Sequence, residues 1–338
     1  MLECGSLDAM GQPLGHTHRA LITGVAGFIG SQLAEALLAD GVAVSGIDCF
    51  TDNYGRAQKV RNARGLTDWD SFAFVPGDLS TADLGDLVRD SDVIYHLAAE
   101  PGVRSSWGER YEQYVRNNLV ATQRLLDAVR TEAPEARFVY ASSSSVYGDA
   151  DVRPTPEDTV LRPRSPYGQT KAAMEFLCGV YHDTFGLDVV GLRYFTVYGP
   201  RQRPDMAFNR ICSAAVHGSE FTVFGDGGQT RDFSYVSDIV AATRAAAAAP
   251  LAEERLFNLG GGSPATLREA IELVQELSGG NLRISYQPSE QGDVRDTAAD
   301  TSRARSVLGF APCVGLRAGL EREFDWIATN SRESLALR

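Results

Sequence analysis

Apolar and polar positions follow two rhythms along the chain. From Arg19 onward, short apolar runs rich in β-branched and aromatic residues read as strands: "RALITGV" (19–25), "VAVSGID" (42–48), "FAFVPGD" (72–78), "DVIYHLA" (92–98) and "RFVYAS" (137–142). Between them, "FIGSQLAEALLAD" (28–40) and "ERYEQYVRNNLVATQRLLDAVRTEA" (109–133) repeat their apolar residues at helical spacing. A long helix is expected after Ser165, followed by a strand over 187–195. Such alternation implies an α/β fold in which helices cover both faces of a doubly wound parallel sheet.

Beyond about residue 196 the regularity weakens. Pro, Gly and Arg crowd "VYGPRQRPDM" and "FGDGGQTRDF", and helices are expected over 206–217, 237–249, 266–278 and 315–329. Three parts follow: a mobile tail over 1–17, a nucleotide-binding domain over 18–195, and a smaller substrate-binding lobe over 196–330 interleaved with it.

Composition narrows the function. The chain has 338 residues with a formal net charge of −12, which disfavours nucleic acid and acidic membranes as partners. No apolar run approaches the roughly 20 residues that cross a bilayer. The N-terminus lacks a basic start with an apolar run after it, so no secretory leader is expected. Cys4, Cys49, Cys178, Cys212 and Cys313 are scattered without metal-ligand spacing, so neither a metal site nor a disulfide framework is expected and the cytoplasm is the default. Lys59 and Lys171 are the only lysines, which leaves most cationic work to arginine.

"LITGVAGFIGSQL" sets Gly24, Gly27 and Gly30 at a strand-to-helix junction, with Phe28 and Ile29 between them. Small residues there permit a tight turn and close backbone approach, and a helix N-terminus accepts a pyrophosphate, as in a Rossmann-type domain. Asp48 ends the second strand, where a carboxylate accepts from both ribose hydroxyls and repels a 2′-phosphate; NAD is favoured over NADP. Asp78 in "PGDLS" either meets the adenine amino group or caps the helix that follows.

"SPYGQTKAAME" carries Tyr167 and Lys171 four residues apart, on one face of a helix. With 12 tyrosines and two lysines in 338 residues, a Tyr-x-x-x-Lys match by chance is expected only about 0.07 times. A phenol ionises near ~10, so a tyrosine base at neutral pH needs about 4 kcal/mol of help. A neighbouring ammonium and the positive ring of NAD⁺ can supply it. "SSSSVYG", at the end of the fifth strand, offers hydroxyls to hold the substrate oxygen.

These motifs, with "HLAAEPGVR", "RYFTVYGPRQRPDM", "GDGGQTRDF" and "GDVRDTAAD", resemble the extended short-chain dehydrogenase/reductases of the nucleotide-sugar epimerase and dehydratase group, from Arg19 to about residue 329. The resemblance implies bound NAD, contacts to it from Leu79, Leu97, Ala98 and Ala99, and a catalytic Ser143, Tyr167 and Lys171. It also implies a homodimer built from the helices over 109–133 and 165–186. Related dehydratases carry Asp-Glu just after the catalytic hydroxyl, and UDP-glucuronate decarboxylases carry Glu before Val-Tyr-Gly. This chain has Ser144 and Ser145 there, which points to a 4-epimerase.

"RYFTVYGPRQRPDM", with Thr196 and Arg203, is most similar to UDP-glucuronate 4-epimerases, although "GPRQ" stands where those often have "GPWG". Serine hydroxyls at Ser142, Ser143 and Ser144, together with Thr196, suit a sugar carboxylate, and equally a neutral CH₂OH. Arg231 and Arg295 match the family's diphosphate-binding arginines, Val223 falls on its uracil-binding strand, and Arg104 is a further substrate candidate. His96 and Glu100 read as structural. A UDP-glucose/UDP-galactose 4-epimerase is the alternative. A decarboxylase, a 4,6-dehydratase and a non-catalytic NAD-sensing protein stand behind it.

Overall fold

The structure is a computed structural model that describes residues 19–51, 55–262, 264–288 and 294–336. The tail expected over 1–17 lies outside the described residues. Strands β1 (Arg19–Thr23), β2 (Ala43–Asp48), β3 (Phe72–Pro76), β4 (Val93–His96), β5 (Arg137–Ser143) and β6 (Val189–Tyr194) fall on the apolar runs of the sequence. They pair in parallel in the order β3-β2-β1-β4-β5-β6, and Leu256–Leu259 adds a seventh strand beyond β6. The winding direction reverses between β1 and β4, which opens a crevice at the carboxyl ends of the strands.

The helices of the first half are α1 (Phe28–Ala39), α2 (Arg56–Arg64), α3 (Gly85–Val88), α4 (Tyr111–Val115), α5 (Ala121–Glu132) and α6 (Pro166–Phe185). Strand alternation divides the apolar side chains between two cores. Ala20, Ile22, Val139 and Ala141 pack with α1 and the helix Val236–Ala248 on one face. Leu21, Phe138 and Tyr140 pack with α5 and α6 on the other. That is the double winding expected of the sequence, and it buries both faces of the sheet.

The pattern over 109–133 is not one uniform helix: a π turn, Arg116–Val120, joins α4 to α5. Helix α6 starts where Ser165 accepts from the Gly168 N–H at 3.1 Å with Pro166 in its first turn, and it stops at Gly186 in the left-handed region. In the second half, Thr196–Tyr198 pairs with Phe233–Tyr235, Thr230–Arg231 with Ala265–Thr266, and Glu220–Phe224 with Arg283–Gln287. Helices Ala207–His217, Val236–Ala248 and Leu267–Leu277 lie where the periodicity puts them, Leu316–Ala336 runs seven residues past the end expected at 329, and Ser302–Leu308 is an addition.

Candidate functional site

A cleft of about 500 Å³ crosses the carboxyl ends of β1 to β6. At one end the chain leaves β1 through Gly24 at φ +73°, where a Cβ would lie 2.9 Å from the Ala98 Cα. A Cβ on Gly30 would lie 2.3 Å from the Gly24 carbonyl oxygen. Only glycine lets β1, α1 and the segment after β4 converge so closely. Gly27 caps α1 without a side-chain bond, and Gly27, Phe28, Ile29 and Gly30 line the cleft, so the backbone of the first helical turn is what the cleft meets.

Asp48 fixes the next stretch. Its Oδ2 accepts from the Ala26 N–H at 3.1 Å and its Oδ1 from the Phe50 N–H at 2.8 Å, leaving lone pairs for a ligand at the cleft it lines. Asp78 accepts from the Ser80 N–H at 2.8 Å and turns the chain there; α3 begins only at Gly85, so Asp78 is no cap for that helix. Leu79, Leu97, Ala98 and Ala99 complete this wall. His96 and Glu100 are fully buried behind it: the ring of His96 lies between the Thr23 and Thr122 hydroxyls at 2.8 Å each, and burial, aided by the nearby Lys171, holds its pKa down at about 3.

At the other end, α6 meets the serine loop. A Cβ on Gly168 would lie 2.6 Å from the Ser145 carbonyl oxygen, so this glycine brings Tyr167 against Ser143. Ser143 Oγ accepts from the Ser145 N–H at 3.2 Å and hydrogen-bonds the Tyr167 hydroxyl. Burial pushes the Tyr167 phenol up, opposed by the Ser143 bond and by the charge of Arg203. The Lys171 ammonium instead donates to the Ala141 carbonyl at 2.8 Å. Burial lowers its pKa to about 8 against the opposing pull of Cys178 and Glu175. Arg203 thus adds its charge at the phenol, a cation that the sequence analysis assigned only to the substrate, while Lys171 lines the same cleft.

Behind β5 lies a buried polar chain. Ser142 donates to Glu175, whose carboxylate takes both arms of the Arg193 guanidinium at 2.9 and 2.7 Å. Arg193 also donates to the Tyr147 hydroxyl and the Glu157 carbonyl, each at 2.7 Å, and Tyr147 donates to Asn258 at 2.7 Å. Ser142 lines the cleft, but its proton is committed to Glu175.

Ser143, Ser144, Thr196, Arg203 and Arg231 line the cleft together with Tyr167 and Lys171. Arg203 is forked onto Asp205 at 3.0 and 2.8 Å. Burial alone would raise the Asp205 carboxyl, but the Arg203 fork more than offsets it and holds it below the usual range. Arg231 donates to the Thr230 and Arg295 carbonyls, each at 2.8 Å.

Three residues that the sequence points to lie outside this lining. Val223 is fully buried in the core, because its strand turns Phe221 and Val223 inward and leaves Thr222 and Phe224 half-buried on the other side. The Arg104 guanidinium stacks 4.7 Å over the Phe224 ring. Arg295 is exposed and pairs with Asp226 at 3.4 Å, while its carbonyl accepts from Arg231 at the cleft.

The cleft also recruits residues that no motif marks. Lys59 and Thr51 meet at 2.9 Å beside Asp48, and Asn117 enters from the π turn, a distortion often found at functional sites. Among the described residues, the only carboxylates lining the cleft are Asp48 and Asp78, both at its β2–β3 end; its cations are Lys59, Lys171, Arg203 and Arg231.

With this geometry in place, known proteins supply a comparison. The profile of the family described as GDP-mannose 4,6 dehydratase matches residues 21–323. A Bacillus subtilis relative named uncharacterized UDP-glucose epimerase YtcB is 42% identical over 312 residues, covering 92% of this chain and 98% of the relative. A UDP-glucuronate 4-epimerase of Thermodesulfobacterium geofontis is 37% identical over 315 residues, covering 92% and 96%. The crystal structure of a UDP-glucuronic acid 4-epimerase from Bacillus cereus, in complex with UDP-glucuronic acid and NAD, superposes with a TM-score of 0.87 at 42% identity, covering 92% of this chain and 99% of that one.

Proposed function

The chain belongs to the family described as GDP-mannose 4,6 dehydratase, the nucleotide-sugar branch of the extended short-chain dehydrogenase/reductases, and from that premise we propose that it is an NAD-dependent UDP-sugar 4-epimerase acting on UDP-glucuronate. The observation that carries this reading is the distribution of charge in the cleft. Dehydration of a 4-keto sugar needs an acid or base beyond the tyrosine. The cleft's carboxylates, Asp48 and Asp78, lie at its far end, and the reacting end holds hydroxyls and cations.

The residues fit NAD. The Gly24–Gly30 contacts leave bare backbone at the α1 N-terminus for a pyrophosphate, and Asp48 keeps acceptor capacity for a ribose. Bound here, NAD would supply reversible hydride acceptance at C4, the chemistry that inversion of that carbon needs. Ser143 holds the C4 oxygen, and Tyr167 takes its proton and later returns it. Lys171, a buried cation pinned to Ala141, adds positive potential beside the site. Arg231 binds the diphosphate, and Ser144, Thr196 and Arg203 bind the C6 carboxylate. Residues 18–195 carry the cofactor and the chemistry; residues 196–330 mainly carry the sugar nucleotide.

UDP-glucose is the second reading, favoured by the hydroxyl set, which suits a neutral CH₂OH, and by the name of the Bacillus subtilis relative. Incubation of the enzyme with UDP-glucuronate, without added NAD⁺, is expected to yield the C4 epimer and no CO₂. Stoichiometric CO₂ release overturns the epimerase reading, and faster turnover of UDP-glucose overturns the uronate assignment.

The protein is proposed to work as a homodimer in the cytoplasm. Phe176 and Val180 on α6 are exposed, as are Val120 beside α5 and Tyr111 on α4, an apolar face suited to a helical interface. The described cysteines are free thiols, in keeping with a reducing compartment, and no described helix is long and apolar enough to cross a membrane.

A further inference from the structure

Gly199–Met206 leaves the sheet, crosses the dinucleotide end of the molecule and returns to the sugar end, where Arg203 and Met206 line the cleft. Its anchors come from α1 and α2. Gln32 donates to the Pro200 carbonyl at 3.0 Å. Arg201 donates to Ser31 Oγ at 3.0 Å and to Glu35 at 2.6 Å. Gln58, buried on α2, donates its amide to the Arg201 carbonyl at 3.0 Å and the Gln202 carbonyl at 3.2 Å. Gln202 is itself buried, with its amide on the Val197 carbonyl at 3.0 Å and its oxygen on the Asn209 N–H at 2.9 Å.

Arg201 holds φ +70°, a left-handed conformation that costs a non-glycine residue of order 1 kcal/mol or more and persists only where the surroundings impose it. The surroundings here are α1 and α2, and the residue so constrained stands two places before Arg203. The same two helices face the dinucleotide end through Gly27–Gly30 and Lys59. The "GPRQ" wording that sets this chain apart thus supplies a bracket.

We propose that Arg201, clamped by Glu35, Ser31 and Gln58, is a positioning residue that aims the Arg203 guanidinium at the sugar carboxylate and so sets selectivity for an acidic over a neutral UDP-sugar. The inference rests on the reading of the substrate as a uronate. Ser31, Glu35, Gln58 and Arg201 all lie outside the cleft lining, so disturbing the clamp leaves Arg231 in place for the diphosphate. Its loss is felt only where the charged group sits.

Titration calorimetry on the NAD-loaded protein with UDP, UDP-glucose and UDP-glucuronate separates these contributions. Arg201→Ala and Gln58→Ala are expected to bind UDP within about twofold of the parent while UDP-glucuronate weakens roughly tenfold, the worth of one charge-assisted hydrogen bond. Arg201→Lys, which can still reach one carboxylate, recovers part of the preference. Glu35→Gln, at a half-exposed site that threatens the fold least, weakens the preference in the same direction. An unchanged ratio of the UDP-glucuronate and UDP-glucose affinities in Arg201→Ala and Glu35→Gln overturns the inference alone, as does parallel weakening of all three ligands. Equal affinity of the parent for both sugars overturns the uronate reading and this inference together.

Discussion

Replacing Lys171 by Met removes a buried cation while nearly keeping its volume, and its consequences for stability and for turnover run in opposite directions. Burial lowers the Lys171 pKa from 10.5 to about 8. By linkage this means that folding disfavours the ammonium by roughly 3 kcal/mol. Below pH 8 both the folded and the unfolded chain carry the proton, so the full penalty is present. Between pH 8 and 10.5 the folded chain gives up its proton while the unfolded chain keeps it, and the penalty fades. Met escapes the penalty but leaves the Ala141 carbonyl without the 2.8 Å bond, a loss of about 1–2 kcal/mol.

The net expectation at pH 7 is a Lys171→Met protein about 1–2 kcal/mol more stable than the parent, melting roughly 1–3 °C higher. The advantage shrinks as pH rises through 8 and reverses near pH 10. Thermal unfolding of nucleotide-free protein at pH 7, 8.5 and 10, taken as the difference between the two proteins, cancels the other groups that titrate in that window. Turnover of UDP-glucuronate by the variant is expected to fall at least about 100-fold. A variant less stable than the parent at pH 7, or a stability difference that does not change between pH 7 and 10, refutes the electrostatic account of this lysine.

Three other substitutions test separate parts of the site. Tyr167→Phe should keep NAD and UDP binding within about twofold and lose turnover by roughly 10³-fold or more; retained turnover in a steady-state assay removes the phenol from the reaction. Glu175→Gln breaks the fully buried pair with Arg193 and leaves a cation uncompensated, so denaturant titration should show a loss of about 3–5 kcal/mol, and a loss below 1 kcal/mol would mean that water reaches the pair. Phe176→Glu on the exposed face of α6 should turn a dimer into monomers in sedimentation experiments while the monomer's secondary structure stays intact; a parent already monomeric counts against the interface.

What the sequence made legible follows from where the apolar residues are. Strands β1 to β6 announce themselves as short runs of β-branched and aromatic residues, and helix α1 by apolar side chains at helical spacing. Helix α2 does not: its inward residues are Gln58, Lys59, Asn62 and the small Ala63, too polar to make an apolar stripe, and with it went the Lys59 wall of the cleft and the clamp on Arg201. Leu256–Leu259, with Asn258 in its middle and no β-branched residue, does not stand out from the surrounding turn residues.

At the site, the glycines, Ser143, Tyr167 and Lys171 are legible because each meets a backbone or chemical demand that few residue types satisfy. Arg104, Val223 and Arg295 are not placed by the same logic. Motif spacing names a position but not the inward or outward sense of a strand such as "EFTVF", nor which partner an exposed guanidinium prefers. Asp226 and the Phe224 ring made those choices.

The seventh strand bears on how the molecule can be made and divided. Strand β6 is buried along its whole length, and its outer edge is sealed by residues 256–259: the carbonyl of Arg255, just before them, meets the Gly191 N–H at 2.7 Å, and Asn258 among them holds Tyr147. During synthesis the first 200 residues therefore emerge with a raw sheet edge that stays open until Leu259 leaves the ribosome. A chimera that exchanges the second half with a relative transplants that edge as well, so its crossover must keep Leu256–Leu259 matched to β6 rather than follow a cut at residue 196.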